Sequence, residues 1–383
     1  MSARVGVAIL IAIGVCAALV GLGVWWRWPL IIVFVLLVAG SVRRVAPLPA
    51  TGYKLPAIFF YAATLVLLIG YALFATLAPP SEFDFLADWG AKGRAFWEAR
   101  AIDWRFLETA TYRATHPDYP LLVPLTFDAV AVVRGAWDAR LLGMVNVVFA
   151  AALLLVVHGV ALAELRRRDA AAFIAFAVLP LAAVPWIGIG EGAFIAYGTA
   201  ALLLIRRGDV LAGAVLLGLA ASSKNEGLAL IVAAALALVV ARRARDVLRL
   251  WPAAVIPLPW LILRWMHALP TDVATGNVLS RMFDHLRDPA VFVELARYPL
   301  GKPLFWLGLL AGVWFARREK FVLTAIGLQL LFYLAAYLAT PHDVAWHVKW
   351  SWERLIAHLA APLAVVVLIN LLRDALDERR ALY

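Results

Sequence analysis

The sequence predicts an all-α fold, a polytopic transmembrane helix bundle of about twelve spans with interfacial amphipathic helices in its first outer loop. Three observations carry that expectation. Hydrophobic residues make up 64% of the 383 and charged residues only 16%, a balance outside the soluble range. The apolar residues fall into charge-free runs repeated along the whole chain. The cations gather in the connections between those runs.

In order, the runs cover 5–26, 28–42, 55–80, 141–163, 170–190, 192–205, 210–223, 227–241, 250–263, 303–316, 321–341 and 355–372. Several are shorter than the ~17 to 25 residues of a lone span. Their helices must borrow polar residues at one end or lie inside the bundle. The first run has the apolar core of a secretory leader, but no small-residue cleavage pattern follows it and Val15 before Cys16 does not fit a lipoprotein signal. It reads as the first span. Cys16 is the only cysteine, so an intramolecular disulfide and a cysteine metal cage are excluded and packing is the expected role. With no repeat at fixed period and no inverted halves, the expectation is one integral domain over 1–383, with two spans in 1–54 and the core in 55–383.

The net charge of +10 would suggest nucleic acid in a soluble protein. Here the cations sit between spans, at Arg43 and Arg44, Arg166 to Arg168, Arg206 and Arg207, Arg242 to Arg249, Arg317 to Lys320 and Arg373 to Arg380. With the N-terminus inside, twelve crossings place more than half of the 35 Lys and Arg on the inner side, but only about a third of the 25 acids. That is the positive-inside asymmetry. The basic excess orients the chain in a membrane, and no nucleic-acid partner is expected.

The informative segments are the outer connections, the longest at about 79–140 and 267–302. Within "PPSEFDFLADWGAKGRAFW", residues 85–100 mix Phe85, Leu86, Trp89, Phe96 and Trp97 with charges, the pattern of an interfacial amphipathic helix. A second segment, 119–133, is expected in or partly in the outer leaflet. Asp84, Asp88 and Lys92 are spaced one helical turn apart and share a face. The modest reading has Ser81 or Asp84 capping the helix and Asp88 paired with Lys92 at the water surface. The functional reading is a site, since charged clusters against a membrane mark sites more often than soluble surface charges do.

"THPDYPLLVP" packs His116, Asp118 and Tyr119 between prolines that fix the backbone; a turn with Asp118 as helix cap explains it cheaply. "SSKNEG" breaks an apolar hairpin with Lys224, which must pair with Glu226 or meet an anionic ligand such as a lipid phosphate. "GEG" puts Glu191 between glycines that permit close approach, and a solvated turn is its simpler reading. "TPHDVAWHVKWSWERL" brings His342, His347 and Arg354 to the mouth of the last span. An aromatic belt accounts for its tryptophans, whereas Arg354 could hold a phosphate bidentately. His342 and His347 lack the spacing of helical metal ligands, and no His-Glu-x-x-His pattern occurs. No structural metal is expected and no cofactor is implied, though a divalent cation stays open. His158, inside a span, reads as a packing residue. There is no Gly-rich phosphate loop, nucleophile elbow or dinucleotide fingerprint.

These motifs together resemble the GT-C superfamily of integral-membrane glycosyltransferases, in particular its poorly characterised bacterial branch. "FDFLADWGAK" matches the aromatic-Asp-x-Leu pattern of that superfamily's first outer loop at Phe83, Asp84, Leu86, Trp89 and Lys92. His116 to Leu121, Lys224 to Gly227 and Ser351 to Leu355 match three further elements in the same order. The chain departs from better-known relatives in placing two spans before Leu55 and in lacking an adjacent Asp-Glu pair. The resemblance implies Asp84, and second Asp88, as catalytic base, with Lys224 on the donor-lipid phosphate and Arg354 assisting. Sugar or acceptor hydroxyls would fall to Lys92, His116, Asp118, Tyr119, Glu191, Glu226, His342 and His347. The implied partners are a polyprenyl-phosphate-linked sugar, a glycan, glycolipid or protein acceptor, and membrane lipid, at the periplasmic or extracellular face of a cell membrane. A transporter or lipid-linked glycan flippase is the main alternative, although carriers place polar groups near the midplane at repeat interfaces. A glycan ligase or polymerase is the second.

Overall fold

The computed structural model describes residues 2–43, 55–77, 80, 83–109, 115–271, 276–301 and 303–381, and every regular element in them is helical. α1 (Ser2–Gly21) and α2 (Arg27–Arg43) precede α3 (Leu55–Leu77). A π-helical turn, Phe85–Trp89, leads into α4 (Gly90–Ala99), followed by α5 (Trp104–Glu108), α6 (Leu122–Arg134) and α7 (Ala139–Leu142). Next come α8 (Met144–Leu165), α9 (Arg168–Ala182), α10 (Glu191–Arg206), α11 (Val210–Ser223) and α12 (Glu226–Val240). A 3-10 turn, Ala244–Leu250, opens into α13 (Trp251–Val255) and α14 (Leu258–Met266), with α15 (Val278–Arg287), α16 (Pro289–Gly301), α17 (Pro303–Ala316), α18 (Lys320–Ala339) and α19 (Val344–Ala381) completing the chain. Each charge-free run carries helix, as a backbone without water must satisfy its own polar groups.

Five of these stretches are long and apolar enough to cross a membrane, namely Ser2–Gly21, Leu55–Leu77, Ala139–Leu165, Lys320–Ala339 and Val344–Glu378. A sixth arises if the pair Ala244–Val255 and Leu258–Met266, bent by 47°, counts as one span. Pro257 and Pro259 account for the bend, because each removes a backbone donor from the helix ladder. α2, α11 and α12 are apolar but shorter.

α10 is the hub. Every residue from Glu191 to Ile205 is buried, and α8, α11 and α19 pack around it. By contrast α3 buries only Ala57, Tyr71 and Ala75 and leaves Leu65, Val66 and Leu77 exposed, the surface of a helix facing lipid. α1 lies directly on α8: a Cβ on Gly6 would come 2.5 Å from the Ala152 carbonyl and one on Gly159 2.2 Å from the Ala3 amide. Small residues at such a crossing let backbones meet. His158 fastens this corner, bonding Ser2 Oγ at 2.8 Å and Tyr61 Oη of α3 at 2.8 Å, so it is a satisfied packing residue. Cys16 is buried and packs as expected.

One end of the bundle is clamped by Arg206 at the C-terminus of α10. It bonds Glu164 of α8 and Glu319, the residue that precedes α18, while Arg373 of α19 reaches Glu164 at 2.6 Å. α10 has 16 residues, about 24 Å at 1.5 Å per residue, so Glu191 stands at the opposite end. The N-terminus of α12 and the C-terminus of α11 reach that same end, and α18, which starts beside Arg206, runs toward it, with Gln329 midway along it donating to the Glu226 carbonyl.

The segment expected to form the first outer loop differs from the sequence expectation. Of Phe85, Leu86, Trp89, Phe96 and Trp97 only Leu86 is left largely exposed, at 62%. Phe85, Trp89 and Phe96 are buried in protein, as are Asp88 and Lys92, because α4 packs onto α6 and Phe85 of the turn meets Phe127 of α6 edge-on at 6.0 Å. α6 is itself buried at ten of its thirteen positions, so the 119–133 segment is a core helix rather than one resting in the leaflet. The 170–190 run also breaks early. α9 holds Pro180 and stops at Ala182, and the following residues turn back into the protein, burying Val184, Ile187 and Ile189.

Candidate functional site

The returning 183–190 segment is what places Glu191. Gly188 takes φ +84° and its amide donates to Asn146 Oδ1 at 3.1 Å, a left-handed conformation suited to glycine. Gly190 follows at close quarters, where a Cβ would lie 2.9 Å from Trp89 and 3.0 Å from Lys224 Cγ. Glu191 then enters the first turn of α10 at 1% exposure, where the helix dipole favours a carboxylate. The solvated turn expected of "GEG" is therefore wrong. Its flanking glycines matter because they let three segments close over the acid.

Lys224 caps the C-terminus of α11 and Glu226 opens α12. Lys224 Nζ lies 2.8 Å from Glu191 Oε1 and 3.2 Å from Glu226 Oε1. The local Lys224–Glu226 pair exists, but Glu191, from another hairpin, is the nearer partner. Burial opposes the charge on Lys224, and the carboxylates of Glu191 and Glu226 more than offset it, holding the ammonium above its ordinary pKa.

Arg354, on α19, completes the group. Its Nη1 is bonded to Asp84 Oδ2 and lies 3.5 Å from Glu191 Oε1. Asp84 precedes the π-turn and makes no capping bond, so the capping explanation fails for it. Three carboxylates and two cations from four separate segments thus form one network, Asp84–Arg354–Glu191–Lys224–Glu226. Asp84 and Arg354 keep part of their side chains exposed, whereas Lys224 and Glu191 are buried.

A second layer lies beside it. Lys92 Nζ sits 2.5 Å from Asp88 Oδ1 and donates to the His116 carbonyl at 2.7 Å. The pair is fully buried, so it is not the surface salt bridge of the modest reading. Burial raises the Asp88 carboxyl to about 6, against the opposing pull of Lys92. Lys92 also stands 5.8 Å from the ring centres of Trp89 and Tyr119. His116 stacks on Tyr119 at 4.9 Å. Burial and the Glu226 carboxylate push the Tyr119 phenol well above its usual range.

Asp118 does not cap α6, whose N-cap is Leu121. It accepts from Asn225 Nδ2 at 3.0 Å and lies 3.8 Å from Arg264, tying the first loop to the α11–α12 turn and to α14. Burial raises its carboxyl, partly countered by Arg264. His342 stays exposed, its ring 5.4 Å from Trp346. His347 bonds Thr340 Oγ1 at 2.9 Å and packs edge-on against Tyr337 at 5.0 Å. Neither bonds the ionic network directly. Among the described residues no three His, Cys, Asp or Glu gather as metal ligands.

Sequence reasoning missed a polar stripe on α18 and α19. Gln329, Tyr333 and Tyr337 are buried one turn apart, and Gln329 Nε2 donates to the Glu226 carbonyl at 3.1 Å. Tyr333 Oη bonds His358 Nδ1 at 3.0 Å and Tyr337 Oη bonds Ser351 Oγ at 2.8 Å. His358 lies one turn below Arg354. The i, i+4, i+8 spacing on an otherwise apolar helix was the signal available.

Orphaned polar atoms concentrate in the same place. Glu191 Oε2, Glu226 Oε2, Asp118 Oδ1, Asn225 Oδ1, Gln329 Oε1 and His358 Nε2 are buried without hydrogen-bond partners. Buried polar atoms are ordinarily satisfied, by water or ligand where protein does not serve. Five of these six atoms are carboxylate or amide oxygens, which accept hydrogen bonds and so suit donors such as hydroxyl groups or water. No protein-family model matches the chain, and neither a curated protein nor a solved structure is detectably similar to it.

Proposed function

We propose that the chain is a membrane glycosyltransferase of GT-C type that moves one sugar, with inversion, from a polyprenyl phosphate to an acceptor hydroxyl. The observation that carries the reading is the joining of Asp84 to Lys224 through Arg354 and Glu191. An acid able to act as base and two cations able to hold a phosphate occupy one buried-to-surface gradient. If the twelve apolar runs of the sequence all cross with both termini inside, the positive-inside charge pattern assigns this end of the bundle to the outer face of the cell membrane.

In the resting arrangement Arg354 covers Asp84. A donor phosphate competes for Arg354 and Lys224, and its arrival draws the guanidinium off Asp84. The freed carboxylate accepts the proton of the acceptor hydroxyl as that oxygen bonds the anomeric carbon. The bond from that carbon to the phosphate oxygen breaks, and the electron pair leaves with the polyprenyl phosphate. Its growing charge is stabilised by Lys224 and Arg354. Asp88 and Lys92 hold the loop that presents Asp84, so Asp88 positions rather than reacts. Asp118, His116 and Tyr119 line the sugar and acceptor side.

The experiment is incubation of the purified protein in vesicles with a panel of polyprenyl-phosphate sugars, reading released polyprenyl phosphate by mass spectrometry. Sugar-dependent release supports transfer. Movement of the intact donor across the bilayer without release would support a flippase instead, and transfer of a whole glycan a ligase. Lys224→Met is expected to weaken donor binding at least tenfold, and unchanged affinity rejects its phosphate role.

A further inference from the structure

α15 has no buried residue, and its side chains sort onto three faces at about 100° per residue. On one face Arg281 Nε donates to the Ala339 carbonyl at 2.8 Å and His285 Nδ1 bonds the Leu338 carbonyl at 2.9 Å. On the second, Ser280, Asp284 and Arg287 are exposed. On the third, Leu279, Phe283 and Leu286 are 68%, 59% and 46% exposed.

We propose that α15 is a membrane-surface helix that inserts Leu279, Phe283 and Leu286 among the acyl chains of the leaflet on the side of the ion-paired site. The two carbonyls that Arg281 and His285 take are the last of α18, a helix with the length and apolarity of a span. Orphan carbonyls at a span's end lie at the water boundary, so these bonds fix α15 at the depth of the lipid headgroups. At that depth a helix with one polar and one apolar flank meets water on the first and lipid on the second. The apolar flank continues into α16, where Phe292 and Val293 are 47% and 63% exposed. α15 would bind the leaflet whether or not the site transfers a sugar.

The test places single cysteines at Leu279, Phe283, Ser280 and Asp284 in the full chain, each spin-labelled and reconstituted in phospholipid vesicles. All four positions are exposed, and the wild-type chain, whose Cys16 is buried, gives the labelling background. Collision with oxygen, which partitions into lipid, is compared with collision with a water-soluble nickel chelate. The expected ratio of oxygen to nickel accessibility is several-fold higher at 279 and 283 than at 280 and 284. Equal ratios would place α15 wholly in water, and shielding of 279 and 283 from both reagents would show protein, such as a second copy, on that face. Either result overturns the proposal.

Discussion

Replacing Lys92 by Met tests whether the segment that holds Asp88 and Lys92 is folded inward around a buried ion pair. The ammonium has no exposed surface and its partner Asp88 almost none. Leaving an ionised carboxylate there without its countercharge costs about 3 to 5 kcal/mol. Proton uptake limits that loss, and the limit depends on pH. In the native chain Asp88 titrates near 6 rather than at its ordinary 3.8. A carboxyl raised on folding binds its proton more tightly in the native state, so its contribution to stability falls as pH rises from 3.8 to about 6 and is constant above. At 1.36 kcal/mol per pH unit that fall is roughly 3 kcal/mol. Without Lys92 the Asp88 carboxyl rises further and the losing window extends past neutrality. The gap between Lys92→Met and the wild type should therefore be small at pH 5 and several kcal/mol at pH 8, measured as thermal unfolding in detergent micelles across that range. Asp88→Asn with Lys92→Met should recover most of the loss. A gap that does not change with pH, or a double variant no better than the single one, would refute the buried pair.

The other substitutions separate the site from the scaffold. Arg206→Met removes the cation from Glu319 and one of two cations from Glu164, which keeps Arg373, and should destabilise by about 1 to 3 kcal/mol, while donor-lipid affinity in the surviving folded protein stays within twofold. Arg354→Gln should do the reverse, lowering polyprenyl-phosphate binding at least tenfold by native mass spectrometry with a smaller change in melting temperature. Gly190→Ala sets a methyl group against Trp89 and Lys224; transfer should drop although no charge is altered, and full activity would show that Lys224 does not need its position.

Much of the site was legible because charge in an apolar chain is conspicuous. Asp84, Lys224 and Arg354 each interrupt or border a charge-free run, and they meet in one network. Uncharged polar residues do not stand out in that way. Gln329, Tyr333, Tyr337 and His358 sit within runs that read as spans, and their shared face emerges only once α18 packs on α19. Glu191 misled for a different reason. A glycine-flanked acid after an apolar run looks like a solvated turn until Pro180 ends α9 early and the chain folds inward. Amphipathicity was equally ambiguous. It marks residues 85–100, and the structure shows it again in α15, yet the first buries Phe85, Trp89 and Phe96 while the second leaves its apolar face open. Helical periodicity specifies a sided helix; what covers the side is decided by packing. Likewise the twelve apolar runs are all helical in part, but among the described residues five stretches, or six with the bent pair, reach spanning length, because a helix inside a bundle need not be long enough to cross alone.

Asp84→Asn in the polyprenyl-phosphate sugar assay bears most directly on the central claim. The amide keeps the size of the carboxyl and cannot take the acceptor's proton, so donor lipid should still bind while transfer falls by about 10²- to 10⁴-fold. Transfer at the wild-type rate by a folded Asp84→Asn protein would contradict it.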